Sequence, residues 1–165
     1  MMSDWNPQQY LKFKKERTQP AFDLASRIEI AAARALDIGC GPGNSTQVVK
    51  DLFPHTELTG VDSSAAMIET AQKEHPNLRF VQYDVSGPLD GLGGGYGLVF
   101  SNACLQWVPD HHNLLPRLME LLCPGGLLAV QVPVNFKEPI HQIIERTVEL
   151  PQWRDRILYH RSFYT

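Results

Sequence analysis

Residues 36–45 read Leu36-Asp37-Ile38-Gly39-Cys40-Gly41-Pro42-Gly43-Asn44-Ser45. A short apolar run ends in three glycines at alternate positions, and residues compatible with a helix follow them. Glycine permits a tight turn in which backbone N–H groups and the start of a helix approach a ligand closely. The stretch therefore predicts a strand, a ligand-binding turn and a helix in direct succession.

The rest of the chain repeats this alternation of short apolar runs and longer segments with helical spacing. The predicted strands lack strict period-two alternation, which is typical of a parallel sheet covered on both faces; they are Ala35–Ile38, Glu57–Val61, Arg79–Tyr83, Leu98–Ser101 and Leu127–Val132. The predicted helices are Pro20–Ala32, Ser45–Phe53 (capped by Asn44 or Ser45), Ala65–Glu74 (capped by Ser64), Asn113–Leu122 and Pro139–Glu149. This order predicts an α/β fold with a Rossmann-like, doubly wound, mostly parallel sheet.

Composition narrows the class of protein. A length of 165 residues suits a single domain, residues 1–165, with a helical segment 1–32, a core 33–150 and a tail 151–165. The net charge of −3 argues against a nucleic-acid-binding protein that relies on a basic surface. The sequence offers neither a signal peptide nor an apolar run long enough to span a membrane. Three widely spaced cysteines predict no disulfide framework and no metal site, and they favour a reducing, cytoplasmic setting.

The glycine spacing and the residue before it discriminate between two cofactors. The dinucleotide fingerprint is G-x-G-x-x-G, whereas here Asn44 stands at the third glycine position. Asp37, two residues before Gly39, would repel a pyrophosphate and suits a cationic ligand. The pattern favours S-adenosylmethionine, which carries a sulfonium and an ammonium group and no phosphate, and it disfavours a nicotinamide-dependent dehydrogenase.

Polar residues also follow the next three predicted strands. Asp62 and Ser63 lie about 20 residues after the glycine turn, where a carboxylate can accept hydrogen bonds from both ribose hydroxyls. Asp84 can accept a hydrogen bond from the adenine amino group, and Asn102 ends the fourth strand. Each residue could alternatively cap a helix or form a turn. Because parallel strands end at one edge of the sheet, we predict a cofactor site made of Asp37, Gly39, Gly41, Gly43, Asp62, Ser63, Asp84 and Asn102.

At these residues the chain resembles the class I S-adenosylmethionine-dependent methyltransferases, and more closely the trans-aconitate 2-methyltransferase family. The closer resemblance rests on Trp5-Asn6-Pro7, on residues 39–46 and 61–64, on Leu105-Gln106-Trp107-Val108-Pro109-Asp110-His111 and on residues 128–133. It implies methyl transfer from S-adenosylmethionine to a carboxylate of a small organic acid such as trans-aconitate. A carboxylate is already ionised near pH 7 and needs no general base. Two alternatives remain: a different small-molecule acceptor, or a truncated cofactor-binding remnant without activity.

The resemblance implies residues that position the acceptor, and no catalytic acid or base. The candidates are Tyr10 and Arg17 near the start of the chain, Gln106 and Trp107 after the fourth strand, and His111. The family has a longer C-terminal part with a sixth and a seventh strand, which we expect this chain to lack. The run Leu127–Val132 would then be an apolar sheet edge, and we expect residues 151–165 or a second copy of the chain to cover it.

Overall fold

The computed structural model describes residues 14–134 and 137–154, with side chains described from Thr18 onward. Strands and helices alternate along the chain, and two short 3₁₀ helices, Asp90–Leu92 and Leu105–Trp107, flank the fourth strand. The elements in chain order are α1 (Lys14–Ala25), β1 (Arg34–Ile38), α2 (Asn44–Leu52), β2 (Glu57–Asp62), α3 (Ala65–Glu74), β3 (Arg79–Gln82), β4 (Tyr96–Asn102), α4 (His111–Glu120), β5 (Leu122–Gln131), α5 (Pro139–Val148) and α6 (Pro151–Arg154).

The five strands form one parallel sheet in the order β3-β2-β1-β4-β5, which confirms the predicted doubly wound α/β fold. The winding direction reverses at β1, because β2 lies on one side of it and β4 on the other. In register, Ile38 at the end of β1 faces both Val61 and Ser101. The ends of three strands therefore meet at one level, where a sheet of this type forms its ligand crevice.

The sheet is buried on both faces, as expected for parallel strands. Successive side chains of a strand point to opposite faces. Leu36 accordingly packs with Val61 and Val99 in one cluster, whereas Ala35 packs with Phe100 in a second cluster on the other face. All five residues are fully buried, which places β1 at the centre of the molecule.

The first helix differs from the sequence prediction, which began it at Pro20 and ended it at Ala32. It spans Lys14–Ala25 and carries Pro20 inside it. Tertiary hydrogen bonds occupy the end of the predicted segment: the Thr56 hydroxyl donates to Ala32 O at 2.6 Å, and Glu57 N donates to Ala33 O at 2.9 Å. These bonds hold residues 32–33 beside the start of β2, so the carbonyl groups of Ala32 and Ala33 are not part of a helix.

The two predicted caps have different outcomes. Ser64 caps α3 as predicted, since its side chain accepts a hydrogen bond from Met67 N. The prediction that Asn44 or Ser45 caps α2 is wrong, because the helix begins at Asn44 and Gly43 is its N-cap residue without a side-chain bond. The Ser45 hydroxyl donates instead to Asp37.

The fifth strand is longer than predicted and begins at Leu122 instead of Leu127. Accordingly α4 spans His111–Glu120 and not Asn113–Leu122. The register between β5 and β4 shifts between the pairs Tyr96/Leu122 and Leu98/Leu127. The intervening residues of β5, which include Pro-Gly-Gly, therefore form an irregularity of the β-bulge type within the strand.

Within the described ranges β5 pairs with β4 alone and is the edge strand of the described sheet. Of the predicted covering tail, residues 155–165 lie outside the described residues. Across residues 14–134 and 137–154, no helix combines the length and the apolar character needed to cross a membrane.

Candidate functional site

The turn after β1 has a backbone that requires glycine. Gly39, Gly41 and Gly43 have φ values of 71°, 53° and 91°, all in the left-handed region that disfavours side chains. The N–H groups of Gly39 and Cys40 both donate to Val61 O, at 2.8 and 3.0 Å. The turn is therefore tied to the end of β2, and its position depends on the neighbouring strand as well as on β1.

The three glycines have different surroundings. A Cβ on Gly39 would lie 2.2 Å from Cβ and Sγ of Cys104, and a Cβ on Gly43 would lie within 3 Å of His75 and Phe80. Gly39 and Gly41 line a cavity of about 360 Å³ at this edge of the sheet. Gly43 is not among the lining residues, so in this structure it serves close packing between α2, α3 and β3.

Asp62 holds the glycine turn at the end of β2. Its Oδ2 accepts a hydrogen bond from Gly41 N at 2.9 Å, and its Oδ1 accepts one from Ser64 N at 2.9 Å. The residue is half-buried and lines the cavity together with Ser63. One carboxylate thus joins the glycine turn, the start of α3 and the cavity wall.

Asp37 lies beneath the turn and not in the cavity wall. Its side chain is fully buried, and Oδ2 accepts hydrogen bonds from the hydroxyls of Ser45 at 2.7 Å and Thr46 at 2.6 Å. Oδ1 has no hydrogen-bond partner. Burial raises the pKa of this carboxyl from 3.8 to about 6, the two hydroxyls counteract that rise, and the charge of Asp62 adds to it.

The other predicted cofactor residues are split between the cavity and its surroundings. Asp84 lines the cavity, and its Oδ1 accepts a hydrogen bond from Ser86 N at 2.9 Å. Asn102 ends β4 but is not among the lining residues, and its Oδ1 is buried without a hydrogen-bond partner. Six of the sequence-predicted residues thus share one cavity wall: Gly39, Gly41, Asp62, Ser63, Asp84 and Trp107.

The predicted acceptor-positioning residues are also divided. Trp107 is half-exposed and lines the cavity. Gln106 and His111 do not line it: Gln106 Nε2 donates to Ala103 O at 2.8 Å, and His111 Nε2 lies 2.7 Å from Leu105 O.

A carbonyl oxygen only accepts, so Nε2 of His111 carries the proton in that contact. Tyr10 and the side chain of Arg17 lie outside the described residues.

Several lining residues were not identified from the sequence. They are mostly apolar, and each follows β3 or β4 within seven residues or lies in the first turn of α3: Met67, Tyr83, Val85, Ser86, Ala103, Cys104, Val108 and Pro109. Apolar residues at such positions are also typical of a core, so their type carried no signal. Their position after a strand end was the available clue, since that edge of a parallel sheet binds ligands.

The thiols around the turn are neutral. Burial raises the pKa of Cys104 to about 12 and that of Cys40 well above its usual value, and the charges of Asp37 and Asp62 raise both further. A thiol is a weak nucleophile in such surroundings. Within the described ranges, no group of three or more His, Cys, Asp or Glu residues is arranged to hold a metal ion.

The charged side chains in and behind the described cavity wall are all acidic. Asp62 and Asp84 are among its lining residues, the buried Asp37 lies behind the turn, and the described lining contains no Lys, Arg or His. The remaining wall is largely apolar, with Met67 and Trp107 among its side chains. Such a cavity suits a ligand that has both apolar groups and positive charge.

Comparison with known proteins identifies the family. The model of a methyltransferase domain matches residues 35–126, which span β1 to the first half of β5. Proteins named trans-aconitate 2-methyltransferase are similar to the chain. Those of Paracidovorax citrulli, Methylobacterium radiotolerans and Escherichia coli are 44%, 45% and 43% identical over 94%, 92% and 94% of this chain. The chain spans 60%, 58% and 61% of the length of these relatives.

Solved structures agree at the level of the fold. CalS10 from Micromonospora echinaspora, an amino pentose methyltransferase solved with bound SAM, superposes with a TM-score of 0.64 at 23% identity, covering 81% of this chain and 59% of that chain. DesVI from Streptomyces venezuelae gives a TM-score of 0.62 at 24% identity, covering 75% of this chain and 54% of that chain. The match of the domain model over more than half of the sequence shows that this chain belongs to the methyltransferase domain family.

Proposed function

We propose that the chain binds S-adenosylmethionine in the cavity at the end of β1 and β2. The observation that carries this proposal is the glycine turn beside Asp62: Gly39 and Gly41 expose backbone to the cavity, and the carboxylate next to them can also accept hydrogen bonds from ribose hydroxyls. A carboxylate oxygen can accept more than one hydrogen bond, so a role towards the ribose is compatible with the bonds that Gly41 N and Ser64 N donate to Asp62.

The chemistry of the lining residues fits this cofactor. Its sulfonium and ammonium groups are cationic, and the nearby acidic groups are Asp37, Asp62 and Asp84. A pyrophosphate would instead meet two carboxylates in a wall whose described residues include no cation. The unpartnered Oδ1 of the buried Asp37 would gain from a positive charge beyond the turn. Gly43 and Asn102 would act by shaping the turn and the β4 end, since neither lines the cavity.

We propose further that the reaction is methyl transfer to a carboxylate of a small organic acid of the trans-aconitate type. Support comes from the names of relatives that are 43–45% identical. The cofactor supplies the methyl group, and the chain's own residues orient the acceptor and exclude water. Trp107 is the proposed wall of the acceptor side. Tyr10 and Arg17 stay the proposed anchors for the acceptor's carboxylates.

One observation favours a second candidate, a cofactor-binding domain without turnover. The described cavity wall contains no cation to hold a tricarboxylate. A different small-molecule acceptor is the third possibility, because a shared cofactor site does not determine the acceptor.

Two measurements separate these candidates. Calorimetric titration with S-adenosylmethionine and S-adenosylhomocysteine tests the cofactor site, and absence of binding to the folded chain would reject the proposal. Transfer of a labelled methyl group to a panel of small carboxylic acids and non-carboxylate acceptors tests the reaction. Binding without transfer supports the domain without turnover, and transfer confined to non-carboxylate acceptors contradicts the organic-acid assignment. Asp62→Ala serves as the cofactor-site variant, with Asp90→Ala, at the exposed first residue of a 3₁₀ helix, as its control.

We also propose that the chain self-associates through the edge of β5. No charged residue occurs in Leu122–Gln131, so like-charge repulsion does not protect this edge, and Leu127 is 36% exposed. Leu127→Lys should shift a dimer to monomer in light scattering, whereas Leu52→Lys, at an equally exposed leucine on α2, should not. A monomeric wild-type chain at micromolar concentration would contradict this interface.

Three cysteines without a disulfide are consistent with the proposed cytoplasmic setting.

A further inference from the structure

Residues 103–110, here named the rim loop, supply a large part of the cavity wall. Both ends of the loop have unusual backbone. Ala103 has a φ of 53° and Asp110 a φ of 59°, and within the described ranges these are the non-glycine residues with positive φ. Residues with a side chain persist in this conformation when neighbouring contacts hold them there. The contacts of the rim loop therefore decide how this wall of the cavity is shaped.

Hydrogen bonds hold the first end of the rim loop from two sides. Ala103 N donates to Gln131 O at 2.8 Å, which continues the pairing of β4 with β5. Ala103 O accepts from Nε2 of Gln106 at 2.8 Å. The first bond joins two backbone groups and is independent of side-chain identity. The second requires an amide donor at position 106.

A second side chain holds the middle of the loop. His111 Nε2 donates to Leu105 O over 2.7 Å, and Leu105 itself is 2% exposed in the core. Leu105 and Gln106, which take part in these two side-chain bonds, belong to the 3₁₀ turn Leu105–Trp107. Two backbone bonds close this turn, from Trp107 N to Cys104 O and from Val108 N to Leu105 O. Trp107 is 53% exposed, and it is the last residue of this turn.

We propose that Gln106 and His111 are positioning residues that hold Trp107 at the cavity rim and thereby set the acceptor side of the site. Neither residue lines the cavity, so each acts through the rim loop and not by contact with the acceptor. This inference rests on the proposed methyltransferase function. It gives an indirect role to two residues that the family resemblance implies as acceptor-binding candidates.

The test replaces each donor by a side chain of similar size that cannot donate, Gln106→Met and His111→Phe. With trans-aconitate as the acceptor, we expect kcat/KM to fall about tenfold, mainly through KM, because the anchoring hydrogen bond is lost and the carbonyl that accepted it is left without a donor. The dissociation constant of S-adenosylhomocysteine should change less than about threefold, since the glycine turn keeps its own anchors. His111→Gln, which retains a donor, should recover most of the loss.

Two control variants carry the same substitutions, Gln to Met and His to Phe, at positions that do not line the cavity. Gln142→Met removes a similar side-chain bond, from Nε2 to Lys137 O at 2.7 Å on α5, and His112→Phe changes the exposed neighbour of His111. Both controls should leave acceptor KM unchanged. A control effect as large as that of Gln106→Met would contradict a specific role for the rim loop.

A readout without turnover keeps the inference separate from the proposed function. The chain has three tryptophans, so Trp5→Phe with Trp153→Phe leaves Trp107 as the fluorescent reporter. In this background Gln106→Met and His111→Phe should raise acrylamide quenching of Trp107 measurably, while His111→Gln should not. Unchanged quenching in variants that keep the wild-type urea midpoint would overturn the inference, even if the chain methylates nothing. If Gln106→Met does not fold, Gln106→Leu, which also lacks a donor, provides the same test.

Discussion

The carboxyl group of Asp37 makes the stability of this chain depend on pH in an unusual direction. It is fully buried beneath the glycine turn, and burial raises its pKa from 3.8 to about 6. Between these two values the folded chain holds a proton at Asp37 that the unfolded chain releases. The contribution of Asp37 to the free energy of unfolding is therefore fully present below pH 3.8 and is lost as the pH rises through about 6.

The magnitude follows from the same two values. The gap between 3.8 and about 6, at about 1.4 kcal/mol for each pH unit, amounts to about 3 kcal/mol. Asp37→Asn removes this dependence, because an amide is neutral throughout and its oxygen can still accept from Ser45 and Thr46. The free energy of unfolding of wild type minus that of the variant should thus fall by about 3 kcal/mol between pH 3.5 and 7.

Urea denaturation at half-unit steps over this pH range measures the effect. Titrating groups that do not interact with Asp37 contribute equally to both proteins, so they cancel in the difference between wild type and Asp37→Asn. Asp62, whose charge interacts with that of Asp37, makes a smaller contribution that does not cancel. Asp90→Asn, at an exposed aspartate, is the control and should give a nearly flat difference. A difference for Asp37→Asn that stays constant within about 0.5 kcal/mol, or that rises with pH, would refute the reasoning.

Three further predictions concern the backbone around the cavity. Gly39→Ala places a Cβ 2.2 Å from atoms of Cys104 and should lower the free energy of unfolding by more than about 2 kcal/mol. Gly93→Ala, with φ 70° and nothing within 4 Å of the added Cβ, introduces backbone strain without a clash and should cost less in the same urea assay. Asp62→Asn replaces one of two accepting oxygens by a donor, so cofactor affinity should fall at least tenfold by calorimetry, and unchanged affinity would remove Asp62 from the site. Ser64→Ala deletes the α3 cap and should cost about 1 kcal/mol of thermal stability without a change in cavity chemistry.

The order of strands and helices could be predicted from the sequence, because burial on both faces produces continuous apolar runs and caps mark helix starts. Boundaries were less predictable where long-range bonds compete with local preference. Residues 32–33 bond to Thr56 and Glu57 instead of extending α1, and Leu122 joins β5 ahead of a Pro-Gly-Gly turn that normally ends a strand. No local pattern contains that information.

Residue types at strand ends indicated part of the candidate site in advance. Glycines at alternate positions and an acidic residue after β2 are local features, and their meeting at one edge follows from parallel strands. What the tertiary structure decided is the direction of each side chain. Asp37 points beneath the turn towards Ser45 and Thr46, and Gln106 and His111 point at loop carbonyls, because buried polar groups must satisfy nearby donors and acceptors before a ligand arrives.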